Sequence, residues 1–304
     1  MGTPPIIETR IFARLPDQFR SHRAASPWGD EPRPGAQFDC FLEGPSFDAE
    51  GHLWVVDIPH GRIFRLSPAG EWALRCEYEG EPNGLKFHPD GFILIADYRH
   101  GIVRLDPASG KTTPFIARSN TESFKGCNDL YVTAEGDVFF TDQGQSGMND
   151  PTGRVFHYSA AHQRLYCLIQ NGVSPNGILY SRAENALYVA MTRDNAVWRA
   201  PLTAERTITK AGRFCSLAGR GGPDGLAMDE AGTLLAAQVW AGAVYGFDEY
   251  GEVAFKVKSC AGNAITNMAF GGPDRRQLYM TESATGQILV ADMPNPGVRL
   301  PGQA

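Results

Sequence analysis

The apolar positions of this chain fall into short alternating runs that are separated by glycine, proline, asparagine and aspartate. This pattern is typical of short β-strands joined by tight turns. Six runs share one layout, in which a carboxylate or amide residue opens a stretch that becomes apolar. They begin at positions 43, 83, 128, 176, 224 and 267, so successive starts are 40, 45, 48, 48 and 43 residues apart. The pattern indicates six copies of one structural unit.

Each unit continues with a turn and further predicted strands. Eight residues after the start, four of the units carry a glycine: Gly51, Gly91, Gly136 and Gly232. Glycine adopts positive φ without steric cost, which suits a hairpin turn. A second strand follows over 53–58, 92–98, 137–142, 186–192, 233–239 and 277–282, and a third over 62–66, 102–105, 154–158, 196–200, 243–247 and 287–291. A fourth strand is visible in most units, and four antiparallel strands at this period predict an all-β, six-bladed β-propeller.

The last unit has no room for a fourth strand before Ala304. Segment 6–15 is apolar, strand-like and not part of any unit. We predict that it supplies the missing outer strand of the last blade and closes the ring, because closure removes exposed sheet edges. Residues 1–304 would then form a single propeller domain.

The composition limits the kinds of molecule that this protein is expected to bind. The formal net charge is -6, and lysine and arginine do not cluster, which argues against nucleic acid or a membrane surface as the main partner. We find neither a secretory leader nor an apolar stretch of the ~20 residues that would cross a bilayer. The six cysteines form no C-x-x-C pair, so separate buried thiols in the cytoplasm are expected. The oligomeric state stays open.

The residues that open the six units predict a metal site. The first strand of each propeller blade lines the central channel, so one repeat phase places six polar side chains at one height: Glu43, Asn83, Asn128, Asn176, Asp224 and Asn267. Each taken singly is explained as a local turn cap. A buried ring of carboxylates and amides, however, is costly without a partner, and a hard cation supplies one. Because histidine and cysteine are missing from this phase, calcium, magnesium or manganese fits better than structural zinc.

Several runs then carry a family resemblance: Glu43-Gly44-Pro45, Cys127-Asn128-Asp129, Ser174-Pro175-Asn176-Gly177, Gly222-Pro223-Asp224-Gly225 and Asn267-Met268-Ala269-Phe270-Gly271-Gly272. In their order and spacing, the chain resembles the SMP-30/gluconolactonase/lactonase-like six-bladed propellers over about residues 38–293. Diisopropylfluorophosphatase is a related fold.

The resemblance implies a single divalent metal, calcium or zinc in different members, held by Glu43, Asn128, Asn176 and Asp224. It leaves Asn83 and Asn267 to line the channel or to face the substrate, with a purely structural role as the alternative, and Asn128 is also expected to face the substrate. Sugar-lactone members carry an arginine two residues before the middle asparagine. This chain has Gly126 there, with Lys125 adjacent, which weakens the case for an aldonolactone substrate but not for the metal.

The expected activity is hydrolysis of a small lactone. The metal would polarise the carbonyl, water would attack, and Asp224 would act as general base, or else as a metal ligand only. A histidine base from His60, His88 or His100 is a rival. A phosphotriesterase-like hydrolase and a non-catalytic calcium-binding propeller remain alternative functions. The polar loop 143–150 is placed at the rim of the site, and the aromatic side chains of Tyr98 and Trp240 either wall the site or pack between blades.

Overall fold

A computed structural model describes residues 3–20, 27–30 and 38–303. Two strands precede the blades: β1 (Ile6–Glu8) and β2 (Arg10–Arg14). The strands of the first three blades are β3 (Leu42–Phe47), β4 (Leu53–Asp57), β5 (Arg62–Leu66), β6 (Trp72–Glu77), β7 (Pro82–Phe87), β8 (Ile93–Asp97), β9 (Gly101–Leu105), β10 (Thr112–Ile116), the small hairpin β11 (Arg118–Ser119) and β12 (Glu122–Ser123), β13 (Cys127–Val132), β14 (Val138–Asp142), β15 (Gly153–Ser159) and β16 (Arg164–Gly172).

The strands of the last three blades are β17 (Pro175–Ser181), β18 (Ala186–Met191), β19 (Ala196–Pro201), β20 (Gly212–Ser216), β21 (Pro223–Met228), β22 (Leu234–Gln238), β23 (Ala243–Phe247), β24 (Val253–Lys258), β25 (Ile265–Gly271), β26 (Gln277–Glu282) and β27 (Gln287–Asp292). Within the described residues, helical structure is confined to short turns: α1 (Pro27–Asp30) and the 3-10 helices Asp17–Phe19, Ile58–His60 and Thr192–Asp194. The six-bladed β-propeller predicted from the repeat is therefore confirmed.

The N-terminal segment closes the ring, but as two strands. β2 pairs antiparallel with β27 and is the outer strand of blade six, as predicted for the last blade. β1 instead pairs parallel with β24 and adds a fifth strand to blade five. Between them, Thr9 donates from its backbone nitrogen and from Oγ1 to the Lys258 carbonyl, at 3.2 and 2.9 Å. Thr9 thus marks the point where the chain crosses from one blade edge to the next.

The first strand of every blade carries an irregularity where the predicted site residue lies. In each of the six blades, the register between first and second strand shifts, across 43–46, 82–85, 127–130, 175–178, 223–226 and 265–268. Such bulges re-aim a side chain locally. The hydrogen-bond ladder between the first and second strands is therefore interrupted once in each blade. The interruption lies next to the channel, at the repeat position detected in the sequence.

Glycines that follow site residues permit close contact between blades. A Cβ on Gly44 would lie 2.4 Å from the Asn83 carbonyl oxygen, and one on Gly177 would lie 2.3 Å from the Asp224 carbonyl oxygen. Both distances are impossible for a real side chain, so these positions need glycine for close backbone approach. The Asn-Gly and Asp-Gly pairs at the strand starts are thus channel-lining elements, and the turn-cap interpretation does not explain them.

The core lies between adjacent blades. Aromatic pairs bridge blade boundaries, with ring centroids 4.9 Å apart for Phe47 and Tyr279 and 5.9 Å apart for Trp54 and Phe87. The lower end of the channel is the one at which the first strands of the blades end. There the C-terminal segment crosses the blades, and Val298 donates its backbone N–H to the Met228 carbonyl at 3.0 Å. Packing between blades thus fixes the first strands around the axis.

Candidate active site

A cavity of about 650 Å³ opens at the upper end of the channel, where the first strands begin. Five of the six residues predicted from the repeat phase line it: Glu43, Asn83, Asn128, Asn176 and Asp224. The loop 143–149 also contributes to its wall, which agrees with the rim position expected for this segment. The tertiary structure therefore brings residues that are as much as 181 positions apart, 43 and 224, into one cavity.

Asn267 has a different position from the substrate-facing one considered from the sequence. It is 3% exposed and is not among the described residues that line the cavity. Its Nδ2 donates to Glu43 Oε2 at 2.9 Å and lies 3.5 Å from Asp129 Oδ2, while its Oδ1 accepts from the Met268 backbone N–H at 2.8 Å. Asn267 is therefore placed to orient Glu43 from below.

Three carboxylic acids are crowded beneath the cavity. Glu43, Asp129 and Asp224 are 4, 3 and 9% exposed. Burial, with the charge of Asp129, raises the pKa of Glu43 to about 7. Burial, followed by the charges of Glu43 and Asp129, raises the pKa of Asp224 well above its usual range. Burial also raises the pKa of Asp129, which Lys86 partly offsets. Such crowding is unfavourable unless a positive charge is bound among the acids.

The amides beside these acids are oriented by neighbours. Asn128 donates its Nδ2 to Gln143 Oε1 at 3.0 Å, and Gln143 donates its Nε2 to Ser174 Oγ at 2.9 Å. This chain of hydrogen bonds uses the nitrogen of Asn128 and leaves its carbonyl oxygen for another partner. The Asn176 side chain is hydrogen-bonded to Asp224. Two carboxylates and two amides make an all-oxygen donor set, which fits a calcium-like divalent cation.

A second repeat phase was missed in the sequence. Buried polar residues end four second strands at Asp57, Asp97, Asp142 and Gln238, each 14 positions after a site residue at 43, 83, 128 and 224. Each one holds the segment that enters its own blade. Asp142 Oδ1, for example, accepts the backbone N–H groups of Lys125 and Gly126 at 2.7 and 2.8 Å. The constant offset of 14 is the signal that would have found them.

In this chain an aromatic ring occupies the space beside Gly126. A Cβ on Gly126 would lie 2.3 Å from Tyr98 Cε2, and the backbone φ there is +149°. Tyr98 lines the cavity, and Gln145 Nε2 donates to its hydroxyl at 2.7 Å. Lys125 does not replace a residue at 126, because its Nζ donates to the Thr152 carbonyl at 2.8 Å.

The histidines considered as an alternative general base lie outside the cavity lining. His60 Nε2 is 3.0 Å from the Asp39 carbonyl and His100 Nε2 is 2.7 Å from the Glu79 carbonyl. His88 is in the β7–β8 hairpin and stacks on Phe92, with ring centroids 4.2 Å apart. None of these histidines, nor Trp240, is among the described residues that line the cavity.

A further acidic group lies in the hairpin at the other end of β3. Potential ligand atoms of Asp48, Glu50 and His52 lie within 4.8 Å of one another. Asp48 already accepts the backbone N–H groups of Glu50 and His52 at 3.0 and 2.9 Å and Trp54 Nε1 at 2.9 Å. Formation of the turn therefore accounts for this arrangement.

Comparison with known proteins identifies the family. A family model described as the SMP-30/Gluconolactonase/LRE-like region matches residues 41–284. The chain belongs to this family. Lactonase drp35 of Staphylococcus aureus strain MRSA252 is 29% identical over 238 residues, which cover 75% of this chain and 71% of the relative. Lactonase drp35 of Staphylococcus epidermidis is 29% identical over 239 residues, with the same coverage of both chains.

Solved structures share the fold of this chain. Regucalcin from Agrobacterium tumefaciens, a calcium-binding protein, superposes with a TM-score of 0.76 at 23% identity and covers 98% of this chain and 100% of its own. A gluconolactonase from Xanthomonas campestris has a TM-score of 0.74 at 20% identity, covering 84% of this chain and 86% of its own. Among the described residues of this SMP-30-family chain, no helix combines the length and apolar character needed to cross a membrane.

Proposed function

We propose that this protein is a metal-dependent lactonase, in which Glu43, Asn128, Asn176 and Asp224 hold one divalent cation at the base of the cavity. The observation that supports this most directly is the burial of two carboxylates beside two amides at the floor of an open cavity. Relatives named lactonase support the reaction class. Calcium is the first metal to test because all four donors are oxygens, with magnesium, manganese and zinc as alternatives.

The chain's own residues would divide the chemistry among them. A divalent cation held by Glu43, Asn128, Asn176 and Asp224 would polarise an ester carbonyl and stabilise the negative charge that develops on its oxygen. Asp224 takes a proton from the attacking water and returns one to the departing alkoxide. Asn83 and Asn128, on the cavity wall, orient the substrate by hydrogen bonds. The Gln143–Ser174 contact keeps Asn128 in one rotamer, which maintains the alignment.

The substrate is more apolar than a sugar lactone on one side. The cavity wall from the first two blades and the adjoining rim includes Trp28, Phe41, Ile58, Tyr98 and Met148. Such a surface favours hydrocarbon over hydroxyl groups, because unpaired polar groups lose hydrogen bonds when they are buried there. This agrees with Gly126 in place of the arginine of sugar-lactone members.

A panel of assays tests the proposal. The protein, stripped of metal and reloaded with calcium, magnesium, manganese or zinc, is given lactones of different substituents, linear esters and an organophosphate. We expect lactone turnover that disappears with chelator and returns with metal. Turnover of the organophosphate in preference to every lactone would favour a phosphotriesterase. Metal binding without turnover of any ester would favour a calcium-binding propeller, the alternative suggested by the similarity to regucalcin.

A further inference from the structure

Arg193 is an arginine on the wall of the cavity. It lies in the 3-10 turn Thr192–Asp194, is exposed, and lines the cavity. Arg154, by comparison, pairs with the buried Asp142, with Nε and Oδ2 2.7 Å apart. Within the described part of the chain, the guanidinium of Arg193 makes no ion pair or side-chain hydrogen bond. The next residue, Asp194, accepts hydrogen bonds from Trp198 Nε1 at 2.8 Å and from Arg213 Nε at 3.0 Å.

The charges around the cavity make this cation significant. Among the described lining residues, the acids are Glu43 and Asp224, and the one basic side chain is Arg193. A divalent cation at the proposed site offsets Glu43 and Asp224, and Lys86 partly offsets Asp129, the third buried acid, so most of the positive charge of Arg193 is left without a fixed partner. In a partly enclosed cavity, an uncompensated charge of this kind attracts an anion. The guanidinium also presents parallel N–H donors that match a carboxylate.

We propose that Arg193 binds a carboxylate carried by the substrate, so that the preferred substrate is a lactone with a carboxylate substituent. This inference rests on the proposed function, because it takes the metal site and the cavity as the place of reaction. The lactone carbonyl lies over the floor formed by Glu43 and Asp224, the carboxylate reaches toward Arg193, and the hydrocarbon part of the ring contacts the apolar wall that includes Tyr98. The mode of recognition is charge-assisted hydrogen bonding from one fixed side of the cavity.

Two matched pairs of ligands test this. One pair is hydrolysable, 5-oxotetrahydrofuran-2-carboxylate and its carboxamide. The other pair cannot react, tetrahydrofuran-2-carboxylate and its carboxamide, and its binding to the calcium-loaded protein is measured by calorimetry. We expect the wild type to prefer each carboxylate by about tenfold or more, as one charge-assisted contact would give. Arg193→Met should remove this preference, and Arg193→Lys should retain part of it.

Arg220→Met is the matched control. Arg220 is an exposed arginine in the loop that enters blade five and does not line the cavity. Its replacement removes the same charge and should leave the preference within about twofold, since Arg220 does not line the cavity and the field of an exposed charge is screened by salt. An equal loss in Arg220→Met and Arg193→Met would overturn direct contact.

The outcomes separate the inference from the proposed function. If Arg193→Met keeps the carboxylate preference, the anion binds elsewhere, for instance on the cation, and the inference is wrong. A wild type that binds the carboxamides as well as the carboxylates also contradicts it. If neither lactone is hydrolysed but the calorimetric preference depends on Arg193, the lactonase proposal fails while the anion site stands.

Discussion

The side-chain nitrogen of Asn267 donates a hydrogen bond to Glu43 Oε2 over 2.9 Å and so joins the first strands of blades six and one beneath the cavity. The same nitrogen lies 3.5 Å from Asp129 Oδ2. One amide thus separates two buried carboxylates and fixes the orientation of one of them. Asn267 is therefore best described as a positioning residue for Glu43.

Replacement of Asn267 by alanine should weaken metal binding without removing a ligand. Loss of an outer partner of a ligating group typically costs about 10–100-fold in metal affinity. A calcium titration followed by calorimetry measures this. Asn295→Ala is the control, because Asn295 Nδ2 also donates to a carboxylate, Asp229 Oδ2 at 3.1 Å, away from the cavity. Unchanged affinity in Asn267→Ala would show that Glu43 does not depend on this contact.

Removal of the metal should make stability depend on pH. Because the pKa of Glu43 is raised from 4.5 to about 7, the folded metal-free protein binds more protons than the unfolded chain between these values. Its stability therefore falls as pH rises through this window. Calcium should consequently increase the melting temperature more at pH 8 than at pH 5. Glu43→Gln should reduce the pH dependence of the metal-free protein, and an equal calcium effect at both pH values would contradict the prediction.

Asp224→Asn separates the two roles proposed for Asp224. If Asp224 is the general base, turnover should fall by about 10²–10⁴-fold, the usual contribution of such a group, in protein that has been saturated with metal. Metal content is measured on the same sample, and thermal unfolding verifies the fold. Full turnover with full metal content would contradict the assignment of Asp224 as general base and leave it as a metal ligand only.

Gly126→Ala should be destabilising by about 2 kcal/mol or more. The new Cβ meets the Tyr98 ring, and alanine is strained at a φ of +149°. Chemical denaturation measures the loss. In the double variant with Tyr98→Ala, the steric part should disappear, so the two single effects should not add. Simple additivity would mean that the ring and position 126 are not in contact.

Asp142→Asn should unfold the protein more easily, by about 3 kcal/mol, because it breaks a buried ion pair with Arg154. Asp142 also holds the N–H of Gly126, two residues before Asn128. The control is Asp106→Asn, in an exposed hairpin, which should change stability far less. Denaturant midpoints measured on both variants compare them, and equal losses would argue against a special role for the ends of the second strands.

The repeat, the number of blades and the phase of the site residues can be read from the amino-acid sequence alone. These follow from local periodicity, because alternation and turn chemistry act over a few residues. The same phase also implied that Glu43 and Asp224 approach each other, since equal positions in a closed ring converge on its axis. A second offset of 14 residues, ending at Asp57 and Asp142, was equally available from the sequence.

The three-dimensional fold was needed to show which member of the ring faces the cavity and which lies beneath it. Asn128 and Asn267 open similar units, yet Asn128 lines the wall while Asn267 is buried under Glu43. It also decided that Tyr98 fills the space beside Gly126 and that Thr9 divides the N-terminal segment into two strands. The physical reason is that these outcomes depend on packing between blades, where residues far apart in the chain compete for the same volume.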